Sequence, residues 1–171
     1  LIDVVALRAV PRGTIVLDVG QPASALFWIA TGAVAISRDG KYLAAGSSAD
    51  GVQIWNVKTR QPVAQVPLGD GAVYEIAFSP DGRLIAEVGH DSAFTVSDLG
   101  GRTRRGFKYP DAELIFAVRF SPDGRYVATG AYDHTVRLWD VASGELSAVL
   151  TGHTDAVDAI AFSNDSKLLV S

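Results

Sequence analysis

A turn signature returns at a fixed interval along this chain, and that interval constrains the fold more than any other feature. Ser37-Arg38-Asp39-Gly40, Ser79-Pro80-Asp81-Gly82, Ser121-Pro122-Asp123-Gly124 and Ser163-Asn164-Asp165-Ser166 are separated by 79 − 37, 121 − 79 and 163 − 121, each 42 residues. Ile36, Phe78, Phe120 and Phe162 precede the turns in the same register, and Lys41, Arg83, Arg125 and Lys167 follow them. Leu43, Ile85, Val127 and Leu169 form a further column, as do Trp55, Ser97 and Trp139. Self-similarity at such a period marks a repeat architecture, in which each unit buries its apolar face only against the next unit along.

The residues within one period say what that unit is. Pro-Asp-Gly and its variants supply the preset and positive φ angles of a tight hairpin turn, and the runs beside them are short and rich in β-formers. Each period therefore predicts four antiparallel strands, which in the third copy span 115–121, 125–130, 135–141 and 145–150. Val136, Leu138 and Trp139 stand nearly in succession. A strand apolar on both faces needs cover on two sides, which small sheets packed radially provide. The expected class is all-β, with units at 34–72, 73–114 and 115–156 and an incomplete unit at 157–171.

Composition narrows the function. The 171 residues are 48% apolar and 20% charged, within the globular range. A net charge of −4 with interleaved signs lacks the basic footprint of a general nucleic-acid binder. The absence of cysteine removes disulfides and thiolate metal sites. His90, His134 and His153 fall in different units, so a metal site would need the fold to converge them. Asp133 and His134 are adjacent but lack a nucleophile placed beside them. The expectation is a chain without catalysis, cofactor or metal. The longest uncharged run, 19–37, is broken by Gly20, Gln21, Pro22 and Gly32, so no membrane insertion is expected. No basic segment precedes it, so it does not read as a signal peptide, and the default compartment is the cytoplasm. The start at Leu1 and the lack of methionine suggest an excerpt of a longer polypeptide.

Thr135-Val136-Arg137-Leu138-Trp139-Asp140, then Ser143-Gly144 and Gly152-His153, resemble the WD40 repeat from its Trp-Asp end to the next Gly-His, and the likeness covers residues 34–171. The resemblance implies a β-propeller fragment of four-stranded antiparallel blades, three complete and others partial. It also implies a protein–protein interaction scaffold within a larger propeller or multidomain assembly. The alternative is a regulatory or accessory propeller of an enzyme whose catalytic residues lie elsewhere. A ring closes with about four to eight blades. The open edge near Ser171 is therefore expected to be covered by the remainder of the polypeptide, by a second chain, or by the N-terminal strands.

The same resemblance implies roles for particular residues. Blades of this family often carry a His, Ser/Thr, Asp, Trp hydrogen-bond network. Thr129, Asp133 and Trp139 match it in the third blade, with Asp111 at the histidine position; His153 opens the fourth copy. The second blade offers Glu87, Asp91 and Ser97, and the first has Trp55 but Ala49 in place of the acid. Networks with missing members suggest blades held mainly by apolar packing. The top face of such propellers is built by the loops entering the first strand and those joining the second to the third, which places Tyr74, His90, Leu114, Phe116 and Tyr132 there as candidate partner anchors. For Leu114 or Phe116 the alternative is packing beneath a neighbouring loop. Arg102, Arg104, Arg105 and Lys108, beside Gly100-Gly101, form either a dock for an acidic or phosphorylated segment or a solvated edge that discourages strand pairing.

Residues 1–33 admit two readings, a partial preceding blade or a junction. In the first, 14–19 is an eroded third strand and 25–30 an outer strand. In the second, Pro11-Arg12-Gly13-Thr14-Ile15-Val16-Leu17, Gly20, Ala25-Leu26-Phe27-Trp28-Ile29 and Gly32-Ala33-Val34-Ala35-Ile36 resemble the opening strands of a cyclic-nucleotide-binding domain. That family's phosphate cassette, a Gly-Glu segment with a downstream arginine, has no counterpart before the repeats begin.

Overall fold

Each repeated turn is closed by its own side chains. Ser37 Oγ donates to Asp39 Oδ1 at 2.7 Å, and Ser79, Ser121 and Ser163 donate to Asp81, Asp123 and Asp165 at 2.6 Å. The same carboxylate oxygens accept the backbone N–H of Lys41, Arg83, Arg125 and Lys167 at 3.0 to 3.2 Å. Each serine Oγ in turn accepts an N–H across the turn, from Tyr42, Leu84, Tyr126 and Leu168, at 2.9 Å. Gly40, Gly82 and Gly124 take the required positive φ, at 70°, 66° and 74°, and Ser166 adopts 60° in the fourth copy. The serine hydroxyl, followed by the backbone N–H, holds all four carboxyls below their usual 3.8.

The computed structural model describes residues 6–10, 14–18, 28–29, 33–47, 51–67, 72–90, 93–101, 104–109 and 114–171, with backbone alone at 6–10, 14–18, 28–29, 47, 104 and 108. Strands β1 (Ala6–Val10), β2 (Thr14–Asp18) and β3 (Trp28–Ile29) form an antiparallel sheet. β2 and β3 fall on the stretches 14–19 and 25–30 expected to be strands of a preceding blade; the side chains behind the cyclic-nucleotide-domain resemblance before Ala33 lie outside the described residues.

Three four-stranded antiparallel sheets follow, each in simple chain order. The first holds β4 (Val34–Ile36), β5 (Tyr42–Ser47), β6 (Gly51–Asn56) and β7 (Pro62–Val66). The second holds β8 (Val73–Phe78), β9 (Leu84–Gly89), β10 (Ala93–Asp98) and β11 (Arg104–Lys108). The third holds β12 (Ile115–Phe120), β13 (Tyr126–Ala131), β14 (Val136–Asp140) and β15 (Leu146–Leu150). These four match the strands read from the third period to within a residue at each end. β16 (Ala161–Phe162) and β17 (Leu169–Val170) pair as the start of a fourth. The architecture is all-β, and among the described residues no helix is long and apolar enough to cross a membrane.

The sheets stack face to face. Ala44, Val52, Ile54 and Val66 of the first pack on Val73, Ile76 and Ile85 of the second. Val88, Phe94, Val96 and Phe107 of the second pack on Ile115, Val118, Val127 and Trp139 of the third. Ala117, Ala128 and Val136 of the third meet Val157 and Ile160 ahead of β16. Val136 and Trp139, close neighbours in sequence, thus serve opposite interfaces, as two-sided burial requires. The sheets approach closely at Gly46 and Gly130, where a Cβ would lie 2.6 Å from Val73 Cγ1 and 2.7 Å from the Val157 carbonyl oxygen.

One local difference separates the second sheet from its neighbours. The pairing of the outer strands slips by a residue beside Trp55 and again beside Trp139, but runs without a slip past Ser97. Val52↔Val66, Phe94↔Phe107 and Val136↔Leu150 are consequently equivalent pairs, although Phe107 stands one residue early in the period. Val66 and Phe107 are 1% and 3% exposed beneath the following sheet, whereas Leu150 is 46% exposed beside the two-stranded fourth.

The turn network makes a pH-dependent contribution with a fixed sign. Carboxyls whose folded pKa is lowered stabilise the fold above the unfolded value of 3.8, and this is lost as pH falls below 3.8 through the lower folded values. Melting temperature followed by circular dichroism is expected to drop over that acid window, and to drop less steeply when Ser37, Ser79, Ser121 and Ser163 are all changed to alanine.

Candidate interaction face

The first strands of the second and third sheets begin with an extra residue. In β8 Val73 pairs with Gly89 and Glu75 with Val88, leaving Tyr74 without a partner; in β12 Ile115 pairs with Ala131 and Ala117 with Gly130, leaving Phe116 so. A bulge re-aims the side chain it carries. Here it sends both rings out of the stacked interfaces and toward each other, with centroids 5.8 Å apart and planes tilted by 43°.

The loops between second and third strands reach the same rim. Tyr132 N–H donates to the Leu114 carbonyl at 2.8 Å, and one repeat earlier His90 N–H donates to the Ala72 carbonyl at 3.1 Å. These bonds tie each loop to the residue entering the first strand. Tyr132 consequently stands 6.4 Å from Phe116, edge on, and His134 continues the row 6.3 Å beyond. Tyr74 and Tyr132 are 37% and 54% exposed, while Phe116 is only half-buried between them. Of the five residues assigned to this face, Tyr74, Phe116 and Tyr132 form one contiguous row. Leu114 contributes its carbonyl, and His90 is exposed at the matching position of the preceding loop. His134, which the sequence offered as one of three dispersed histidines and as a neighbour of Asp133 without a nucleophile, joins the row in a loop that turns back at a φ of 64°.

Among the described residues beside the row, Glu75 and Arg119 neutralise each other. Glu75 crosses from β8 to β12, pairing with Arg119 at 2.6 Å and accepting the Val118 N–H at 2.7 Å. Arg119 also donates to the Val118 carbonyl at 2.7 Å.

Between the second and third sheets lies a buried polar network. Trp139 Nε1–H donates to Thr129 Oγ1 at 3.0 Å, and Thr129 Oγ1 also hydrogen-bonds the Tyr109 hydroxyl. Burial pushes the Tyr109 phenol up to about 12. Asp133 does not touch this pair. It pairs with Arg137 at 2.7 Å and accepts the N–H and hydroxyl of Thr135, and the Arg137 guanidinium lies 4.0 Å over the Tyr109 ring. Tyr109 was not legible as a member, because it lies two residues from Asp111 in the histidine column and is of a different type; Asp111 itself is outside the described residues. In the fourth copy His153 Nε2 lies 2.7 Å from Ser171 Oγ, and Ser171 stands one period after Thr129.

Of the basic cluster, Arg105 donates to the carbonyls of Val141 and Ala142 at 3.3 and 2.8 Å, clamping the outer strand of one sheet to a turn of the next. The side chains of Arg104 and Lys108, and all of Arg102, lie outside the described residues, as do Asp91 and Ala49.

The family model described as WD domain, G-beta repeat, matches residues 28–56, 103–140 and 144–171, more than half of the chain. The unmatched stretch between the first two segments contains Ser97, where the neighbouring sheets have tryptophan.

The buried network sets a graded expectation for stability. Tyr109→Phe keeps the ring and loses one hydrogen bond, a cost of about 1 kcal/mol. Trp139→Ala empties the centre of the interface and costs about 3–5 kcal/mol. Urea denaturation followed by fluorescence measures both, and equal costs would mean that the hydroxyl, not the packing, dominates.

Proposed function

The chain belongs to the WD-repeat family, and from that premise we propose that it is a non-catalytic, cytoplasmic interaction scaffold whose partner docks on the row Tyr74, Phe116 and Tyr132. Members of this family typically mediate protein–protein contacts. The observation that carries the assignment is the exposed aromatic row on paired bulges. These two rings are spared from the core by an extra residue in each strand, and large aromatic side chains dominate interface energetics.

Leu114 supports the face through its backbone and His90 flanks it. The units 34–72, 73–114, 115–156 and 157–171 act as successive blades of a larger propeller or multidomain assembly. The exposed apolar face around Leu150 contacts further protein, of its own polypeptide or another. Thr129, Trp139 and Tyr109, with Asp133 apart on Arg137, serve blade cohesion, as does His153 with Ser171. Arg105 contributes to the blade edge rather than to an acidic dock, because its guanidinium is bonded to the adjoining turn.

Affinity capture of protein partners with the wild-type chain, and with Tyr74, Phe116 and Tyr132 all changed to alanine, tests the assignment. Partner recovery is expected to fall at least tenfold in the triple variant. Undiminished recovery by a variant that keeps its circular-dichroism spectrum would move the docking surface elsewhere.

A further inference from the structure

We propose that the serine of each repeated turn protects the Asp-Gly bond beside it from isomerising to an isoaspartyl linkage. Aspartate followed by glycine is especially prone to this rearrangement, because no side chain shields the glycine nitrogen. That nitrogen, once deprotonated, attacks the aspartyl Cγ, closes a five-membered succinimide and expels a carboxyl oxygen as water. Water then reopens the ring, and opening at the main-chain carbonyl leaves the backbone longer by one carbon. The turns at 37–40, 79–82 and 121–124 require the labile pair, since Gly40, Gly82 and Gly124 sit at positive φ. Asp39, Asp81 and Asp123 are exposed, so water reaches them freely.

Both reacting groups are restrained. Ser79 Oγ and the Arg83 N–H donate at 2.6 and 3.1 Å to Asp81 Oδ1, which fixes the carboxyl toward the residue beyond Gly82. The Gly82 N–H meanwhile donates to the Ser79 carbonyl at 2.9 Å, so the proton that must leave is engaged. The corresponding distances are 2.7, 3.0 and 2.8 Å in the turn of Asp39 and 2.6, 3.0 and 2.8 Å in that of Asp123. One serine thus holds the electrophile with its hydroxyl and the nucleophile with its carbonyl. The same bonds keep the carboxyl ionised, and a carboxylate is a poor acyl electrophile.

An isomerised turn would not fit its hairpin. The Ser79 N–H donates to the Leu84 carbonyl at 2.9 Å directly after the Phe78↔Ile85 pair, and an extra backbone carbon between them would break that closure. The fourth copy, with Asp165 before Ser166, carries the same three bonds at 2.6, 3.2 and 2.9 Å.

The wild-type chain and the variants Ser79→Ala and Ser121→Ala, aged at neutral pH in heavy-oxygen water, provide the test. Peptide mass spectrometry with electron-transfer fragmentation then counts ring openings at each aspartate and distinguishes the isoaspartyl product. Ser79→Ala is expected to raise turnover at Asp81 about fivefold, the gain in reactive conformers that one lost hydrogen bond allows. Asp39 and Asp123 in the same molecules should keep the wild-type rate, and Ser121→Ala should move the effect to Asp123. Unchanged turnover beside either altered serine would overturn the proposal. So would an equal rise at all three aspartates in both variants, which marks general loosening, or a folded wild-type chain that isomerises there as fast as the chain unfolded in urea.

Discussion

Each four-stranded sheet among the described residues depends on the sheet beside it. A four-stranded sheet with Val136 on one face and Trp139 on the other cannot satisfy itself, and each face is dry only where the next unit covers it. Stability is therefore assembled from interfaces between neighbours more than from contacts within a unit. The polar contacts follow the same geometry: Glu75 reaches from β8 to Val118 and Arg119, Arg105 from β11 to the turn after β14, and Ser166 Oγ accepts the Asp123 N–H at 3.0 Å. The contrast between Val66 and Leu150, equivalent in pairing and opposite in exposure, shows how completely burial is set by the neighbour and how little by the residue's own sheet.

The network at Thr129 illustrates how a polar motif survives a missing member. The hydroxyl needs a second partner in a dry interface, since an unmet buried polar group costs more than a made bond gains. Tyr109 provides that partner from the end of the second sheet, and its ring carries the Arg137 guanidinium as well. In the second sheet the corresponding positions are Glu87 and Ser97, both buried, and there the outer strands pair without the slip seen beside the two tryptophans. Side-chain bulk at this position and strand register thus vary together.

What could be read from the residues was whatever repeats. The period, the hairpin turns, the four strands per unit and the two-sided burial of β14 all follow from columns 42 residues apart. Ser and Asp recur as columns, but the bond between their side chains is not called for by the preset and positive φ angles from which the turn was read. Tyr109 and His134 were hidden for a different reason. Tyr109 acts through a contact between units, at a position its column does not predict, and only the placed sheets bring it onto Thr129; His134 lies beside Tyr132 within one loop, in a left-handed conformation that its residue type does not announce. Tyr74, Phe116 and Tyr132 could be nominated separately from strand position, but their adjacency depends on bulges that no residue type announces.

Those bulges have a consequence for variation. A residue squeezed out of the ladder at the mouth of a strand belongs to neither pleat face, so its identity is uncoupled from the alternation that seats Ile115 and Val118 on one side and Ala117 on the other. Positions 74 and 116 are in effect sockets: their occupants can be exchanged while the pleats behind them keep their phase.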